Sequence, residues 1–192
     1  MKRIIYTLLL LAAGSLSLEA QTQKVYKIDY KSIVEGQTID EETNEFNLRA
    51  WVSDTFNKVV TNDDDNGAQI LNKQTNRSFL LYGPSEQYHI LEEGNSDAYN
   101  SDNEELPFDL VSGKSKSIAG YDCKLAEIKL DPESNDDDLK IKIWYTEKIP
   151  VIYWGQFSFL KNIPGAALEV IIDDNGFTAS GVSQESVPSD FF

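Results

Sequence analysis

The sequence predicts a mainly β protein, built on one antiparallel sheet with one or two short helices. Two observations favour this class: apolar and polar residues alternate with a period of two in several segments, and turn-forming residues lie between those segments. In addition, no long segment repeats apolar residues at helical spacing between two capping residues. The crossover helices of a parallel α/β fold are therefore not indicated.

The first strand is predicted around residue 26. Tyr26, Ile28 and Tyr30 fall on one face of an extended chain, and the charged residues that alternate with them fall on the other. The same alternation predicts strands at 46–52 and 139–145. Shorter candidate strands, in chain order, are 78–82, 87–91, 108–111, 123–130, 168–172 and 177–182.

Turn-forming residues connect some of these strands directly. The segment 131–138 carries Pro132, and the segment 173–176 has the sequence Asp-Asp-Asn-Gly. An Asn-Gly pair suits the positive φ angles of a type I′ turn, so Asn175 and Gly176 are predicted to form a hairpin turn. The acidic, polar stretch 92–105 is predicted to be an exposed loop. Antiparallel pairing of neighbouring strands follows.

Residues 1–20 are predicted to be a secretory signal. Lys2 and Arg3 precede the apolar run 4–13, and small residues lead to Ala20, which suits the position before a cut. A retained membrane anchor is the alternative, but about ten apolar residues are short of the roughly twenty that span a bilayer. We therefore expect an exported mature chain, residues 21–192, in the periplasm or at the cell surface. It should form a single domain without a transmembrane segment.

The composition bounds the partners of the protein. The chain is 41% hydrophobic and 11% aromatic, which is too rich in core-forming residues for a disordered chain, and its formal net charge is -15. So acidic a surface repels phosphate backbones, which makes nucleic acid a poor partner. Cys123 is the only cysteine, so an intramolecular disulfide is impossible. We expect a buried thiol in preference to an intermolecular bridge.

The candidate metal and catalytic motifs are weak. Residues 62–67 match the start of a calcium loop, but the twelfth position is Lys73, which cannot supply the closing carboxylate, so an acidic hairpin turn between strands is favoured. His89 is the only histidine, and neither it nor Cys123 lies in a context that would activate a nucleophile. No metal site and no cofactor are predicted.

Paired carboxylates remain a third route to catalysis. They cleave glycosides without histidine, and tryptophan side chains can stack on sugars. Packing in the sheet and core is the preferred interpretation of the three tryptophans, which are Trp51, Trp144 and Trp154.

Three blocks in the second half of the chain carry a family resemblance. The first, 116–126, has the sequence Lys-Ser-Ile-Ala-Gly-Tyr-Asp-Cys-Lys-Leu-Ala, and the second, 143–150, has the sequence Ile-Trp-Tyr-Thr-Glu-Lys-Ile-Pro. The third runs from Gly155 to Glu169 and contains Asn-Ile-Pro-Gly-Ala-Ala. In order and spacing they resemble the GLPGLI family of exported Bacteroidetes envelope proteins, or a sister group with a divergent motif. The motif positions are Gly120, Tyr121, Cys123, Trp144, Tyr145, Thr146, Ile149, Pro150, Pro164, Gly165, Leu168 and Glu169.

The resemblance implies export, an antiparallel sheet and no assigned reaction. Such sheets also look like the strongly curved half-barrel of lipoprotein carriers, whose concave face holds acyl chains. The leading hypothesis is therefore non-enzymatic binding of a lipid or another hydrophobic ligand. The alternatives are a docking module for other envelope proteins and, third, a carboxylate-based hydrolase. Candidate cavity-lining residues, for which ordinary core packing is the other interpretation, are Tyr26, Ile28, Tyr30, Phe157, Phe159 and Ile163.

Overall fold

The computed structural model describes residues 22–39, 48–61, 67–82, 87–91, 107–129 and 140–192. The predicted signal at 1–20, the loop at 92–105 and the turn at 131–138 lie outside the described residues.

The described part of the chain is mainly β, as the alternation predicts, with one short 3₁₀ segment at Gly155–Asn162. The strands are β1 (Thr22–Val34), β2 (Gln37–Thr38), β3 (Leu48–Val52), β4 (Phe56–Thr61), β5 (Ala68–Asn72), β6 (Arg77–Tyr82), β7 (Gln87–Leu91), β8 (Phe108–Ile118), β9 (Tyr121–Lys129), β10 (Lys140–Thr146), β11 (Ala166–Ile172) and β12 (Asn175–Pro188).

These strands form one antiparallel sheet in the order β7-β6-β5-β4-β3-β1-β12-β11-β10-β9-β8, with β2 paired to β1 alone. The sheet is not closed, and among the described strands β7 and β8 are its edges. The antiparallel pair β4–β5 flanks residues 62–66, which agrees with the prediction of a hairpin there, although the loop itself lies outside the described residues.

The sheet is strongly curved at its β8 end. Three strands separate β8 from β12, and at about 4.8 Å per strand a flat sheet would hold them about 19 Å apart. Cα atoms of β8 and β12 nevertheless approach within 8 Å. A bulge between Val111 and Ser115, with Gly113 at φ 75°, bends β8 and carries it well beyond the predicted 108–111.

The hairpin at 173–176 differs from the prediction. Ile172 pairs with Asn175, so the two loop residues are Asp173 and Asp174, at φ 47° and 61°. Gly176 instead lies in β12, where it passes close to β11. A Cβ at this position would fall 1.9 Å from the carbonyl oxygen of Val170, and only glycine permits that approach. The prediction of an Asn175-Gly176 turn was therefore wrong by two residues.

One face of the sheet, the core face, carries the main hydrophobic core. On β4 the buried side chains are Asn57 and Val59, and they alternate with half-buried residues on the other face. The connection from β10 to β11, residues 147–165, lies across this face. Its buried Ile149, Ile152 and Leu160 pack into the core.

One hydrogen bond joins the two ends of this crossing segment, and a second fixes its interior. The amide of Ala166 donates to the carbonyl of Ile149 at 3.1 Å, and the side-chain amide of Asn57 donates to the carbonyl of Tyr153 at 2.9 Å. The segment therefore reaches from the end of β10 to β4 and fills the space above the core face.

Candidate functional site

The six predicted cavity-lining residues lie on the core face and in the crossing segment. Three are buried in the core, namely Ile28, Tyr30 and Ile163. The other three, Tyr26, Phe157 and Phe159, are partly buried and pack against that core.

Aromatic contacts bring several of these residues together. The Tyr30 ring meets Phe177 edge-on at 5.1 Å, and Phe177 in turn meets Phe157 at 5.1 Å. The ring centroid of Phe157 lies 5.0 Å from that of Trp154 and 6.0 Å from that of Phe159. The side chains thus pack on one another between the crossing segment and β12.

The Tyr30 hydroxyl joins two strands by a hydrogen bond on the core face. It donates a buried hydrogen bond to the carbonyl of Ala167 at 2.8 Å, which links β1 to β11 across the intervening β12. Because burial disfavours the phenolate, the pKa of Tyr30 is raised above its ordinary value. Tyr30 is therefore a structural hydrogen-bond donor.

A pocket of about 350 Å³ lies elsewhere, on the opposite face of β4–β6. This aromatic pocket is lined by Phe56, Ile70, Asn72, Thr75, Arg77, Phe79, Leu81 and Phe192. None of the six predicted cavity residues contributes to it.

Strand register explains which side chains form the pocket. Asn57, Leu71 and Ser78 are paired neighbours on the core face, so the residues beside them in each strand point the other way. On this outer face, Phe56 is paired with Asn72 and Asn72 with Arg77, while Ile70 is paired with Phe79.

The polar residues of the pocket gather at one end, near the β5–β6 turn. The Asn72 side-chain oxygen accepts hydrogen bonds from the amides of Gln74 and Thr75, at 2.9 and 3.1 Å. The Arg77 guanidinium lies 5.8 Å from the Phe79 ring centroid. Leu81 lies four residues along β6 from Arg77, about 13 Å away. The pocket is therefore elongated, apolar along its length and polar at one end.

One wall comes from the far end of the sequence. The Phe192 ring stacks on Phe56 with centroids 5.3 Å apart and an interplanar angle of 14°. Phe191 packs beside it on Trp51, at 5.4 Å, and under the Lys58 amine, at 4.1 Å.

The sequence held one signal of this pocket. The predicted strand 78–82 reads Ser-Phe-Leu-Leu-Tyr, a nearly continuous apolar run that is typical of a strand covered on both faces. Alternation places Ser78 and Leu80 on the core face, which leaves Phe79 and Leu81 for a second apolar surface.

The three blocks of the family resemblance meet in space. Lys116 from the first block donates to both carboxylate oxygens of Glu169 from the third, at 2.7 and 2.8 Å. The same amine lies 5.9 Å from the ring of Trp144, the residue that pairs with Glu169. Cys123 pairs with Lys116 across β8 and β9.

Cys123 is a buried thiol, as predicted. The pKa of Cys123 is raised to about 11, mainly because burial disfavours the thiolate. A backbone hydrogen bond and Lys116 lower the pKa, and the carboxylates of Glu169 and Asp122 raise it, but these effects are smaller than that of burial. A thiol with so high a pKa is a poor nucleophile at neutral pH.

The other motif positions support the fold. Gly120 lies in the two-residue β8–β9 turn and Tyr121 follows it, packed against the core. Gly165 passes so close to Thr146 that an added Cβ would fall 2.1 Å from its carbonyl oxygen. The remaining positions are core residues Tyr145, Ile149 and Leu168, with Pro150 and Pro164 in the crossing segment.

Titratable side chains are the ones that a metal site or a catalytic site would use. In the described ranges, no three His, Cys, Asp or Glu side chains are grouped as metal ligands. The side chain of His89 lies outside the described part of the structure. Of the described carboxylates only Glu169 is buried, and Lys116 neutralises it. No helix among the described residues is long and apolar enough to cross a membrane.

Comparisons with known proteins give no family assignment for this chain. No family model matches the chain, and no curated protein does. A solved DUF1329 family protein from Desulfovibrio piger ATCC 29098 is 10% identical, with 89% of this chain and 88% of that chain covered and a TM-score of 0.33. A putative outer membrane lipoprotein-sorting protein domain from Vibrio parahaemolyticus is 13% identical, with 86% and 83% covered and a TM-score of 0.21. Similarity at this level transfers no function.

Proposed function

We propose that this protein is a non-enzymatic binding protein for a single-chain amphiphile, a molecule with one hydrocarbon chain and a small polar head, and that the aromatic pocket is its site. The observation that carries the proposal is the pocket of about 350 Å³, with apolar walls and polar side chains at one end. This volume lies in the range of small-ligand sites. It suits one chain of medium length and is too small for a lipid with several long chains.

The orientation of the ligand follows from the walls. A hydrocarbon chain would lie between the rings of Phe56 and Phe79 and along Ile70, where its burial from water is favourable. The head would lie at Asn72, Thr75 and Arg77. Since Arg77 is cationic and lines this end of the pocket, an anionic or neutral acceptor head fits here better than a cation.

The core face is the less favourable place for the ligand. There the crossing segment contributes buried Ile149, Ile152, Leu160 and Ile163, so the protein's own side chains already fill the space above the core face. The function proposed from the sequence, hydrophobic ligand binding, is thus retained with a different site.

Location and kinship belong to the same proposal. We infer export to the periplasm or cell surface from the signal pattern at 1–20, and kinship with the GLPGLI family from the three motif blocks. The contact of Lys116, Trp144 and Glu169 supports the kinship, because it gives the three blocks a common structural purpose.

Native mass spectrometry with lipid extraction, on protein purified from an envelope fraction, is the first test. A stoichiometric single-chain amphiphile is the expected result. Titration with decanoate, decanol and decyltrimethylammonium, which share a chain and differ in head, then tests the polar end. We expect the first two to bind and the ammonium compound to bind more weakly.

Variants localise the site. Leu81→Asp puts a charge into the apolar wall and should weaken decanoate binding at least about tenfold. Leu110→Asp is the matched control, because Leu110 is 56% exposed on β8, remote from the pocket in strand order, and should leave binding unchanged. Equal binding by the wild type and Leu81→Asp would place the ligand elsewhere.

A docking module is the second candidate, and one observation favours it. β8 is an edge strand of the described sheet, and Leu110 on it is exposed. An unpaired edge can add a strand from another protein. If an envelope partner is captured by the wild type and lost in Leu110→Asp, while no amphiphile binds, docking replaces ligand binding as the function.

A further inference from the structure

The C-terminal segment, residues 189–192, supplies a wall of the aromatic pocket without belonging to the sheet. It follows the end of β12 at Pro188, and its one backbone hydrogen bond among those described runs from the amide of Phe191 to the carbonyl of Pro188, at 3.1 Å. The other pocket residues lie on β4–β6 or in the β5–β6 turn. One wall can therefore move while the sheet remains intact.

Side-chain contacts hold this segment in place. The Phe191 ring lies edge-on to Trp51 at 5.4 Å and faces the Lys58 amine at 4.1 Å, and that amine donates to the Phe191 carbonyl at 3.2 Å. Phe192 stacks on Phe56 at 5.3 Å. Each aromatic or cation–π contact of this kind is weak. Together they hold the segment on the sheet, and because each is weak the segment can still detach reversibly.

We propose that the C-terminal segment is a lid that controls ligand exchange: Phe191 anchors it on Trp51 and Lys58, and Phe192 closes the pocket against Phe56. This inference rests on the proposed function of the pocket. The pocket keeps a volume of about 350 Å³ with Phe192 in place, so Phe192 is a wall and not a plug. Ligand binding and docking of the segment should therefore favour each other.

The roles of the two phenylalanines separate the lid from an ordinary pocket wall. Phe192 lines the pocket, whereas Phe191 does not. Phe191→Ala removes only the anchor, and we expect it to raise the dissociation rate of decanoate about tenfold, as loss of an aromatic pair and its cation contact predicts. Phe192→Ala should do the same. Phe108→Ala, which alters a partly buried phenylalanine on β8, is the matched control and should leave the rate unchanged.

A measurement without ligand tests the lid independently of the proposed function. Heteronuclear relaxation of the backbone amides should find 191 and 192 as rigid as β12 in the wild type, and mobile on the nanosecond scale in Phe191→Ala and Lys58→Met. Mobility in the wild type would overturn the lid. Ordered amides with no binding of decanoate would overturn the ligand-binding function while leaving the docked segment established, and unchanged dissociation rates in Phe191→Ala would overturn control of exchange.

Discussion

The carboxylate of Glu169 on β11 is held by the amine of Lys116 on β8, at 2.7 and 2.8 Å, although β9 and β10 lie between the two strands. The Glu169 side chain is 5% exposed and that of Lys116 is 45% exposed. The buried carboxylate thus depends on a partly exposed amine for its neutralisation, and the pair links the edge strand to the interior of the sheet.

Loss of Lys116 should be far more harmful than loss of an exposed ion pair. Lys116→Met leaves Glu169 buried without a counter-charge, and we expect it to lower the free energy of unfolding by about 2–3 kcal/mol. Lys124→Met, which breaks an equally short pair with Glu147 at 2.7 Å, should leave stability nearly unchanged, because both partners are more than half exposed. Urea denaturation measures both.

A double variant identifies the cause. Glu169→Gln in the Lys116→Met background replaces the unpaired charge by a neutral amide and should restore part of the lost stability. If the double variant is no more stable than Lys116→Met, the loss comes from packing of the lysine stem on Trp144 and not from the buried charge.

Gly165 should tolerate no side chain. A Cβ at this position would fall 2.1 Å from the carbonyl oxygen of Thr146 and 2.9 Å from Cα of Glu147, and both are backbone atoms. We expect Gly165→Ala to lower the free energy of unfolding by more than about 3 kcal/mol, since the crossing segment must shift. At Gly181 a Cβ meets nothing within 4 Å, so Gly181→Ala should be nearly neutral. Equal effects in thermal melts would contradict the close approach.

Local patterns in the sequence predict the sheet well. Alternation in residues 26–31 is a property of the strand itself, and β1 lies there, paired with β12 and β3. Turn-forming residues predict the position of a hairpin turn less well, because a close contact with a neighbouring strand can require the same residue inside the sheet. Gly176 is needed for its approach to Val170, so Asp173 and Asp174 take the positive φ angles instead.

Local sequence patterns could not predict the pocket. The aromatic pocket joins β4–β6 to Phe192, more than a hundred residues later, and only the tertiary fold sets that contact. Likewise, Phe157 and Ile163 look equally suited to a cavity wall and to a core. Their placement depends on the path of the crossing segment over the core face, which no periodicity in the sequence encodes.

The thiol of Cys123 should be unreactive in the folded protein. It is buried, and with a pKa of about 11 only about one thiol in a thousand is ionised at pH 8. We expect a disulfide reagent to label it at pH 8 no faster than the protein opens, and to label it at once in denaturant. Ser183→Cys adds an exposed thiol on β12 as a control and should react with one equivalent immediately. Rapid labelling of the native wild type would show that the thiol is accessible.

Lys73 should make stability depend on pH above neutrality. Its amine donates to the carbonyls of Ser53 and Val151, at 2.7 and 2.5 Å, and so ties the crossing segment to the β3–β4 turn. Burial lowers the pKa of Lys73 from 10.5 to about 8, and the nearby Asp54 opposes part of that change. Below pH 8 the lysine is charged in both the folded and the unfolded protein, and the folded protein bears the full desolvation cost.

Between about pH 8 and pH 10.5 the unfolded protein keeps this proton while the folded protein loses it. The contribution of Lys73 to stability should therefore rise with pH in that window, with a slope of at most about 1.4 kcal/mol per pH unit. Urea denaturation of wild type and Lys73→Met at successive pH values measures it, and the stability difference should shift in favour of the wild type as the pH rises. Lys142→Met, which removes an exposed lysine on β10, controls for the loss of one surface charge. If the stability advantage of the wild type over Lys73→Met stays constant from pH 7 to pH 10, the buried amine does not release its proton in this range. The Lys142→Met control sets the error of that comparison.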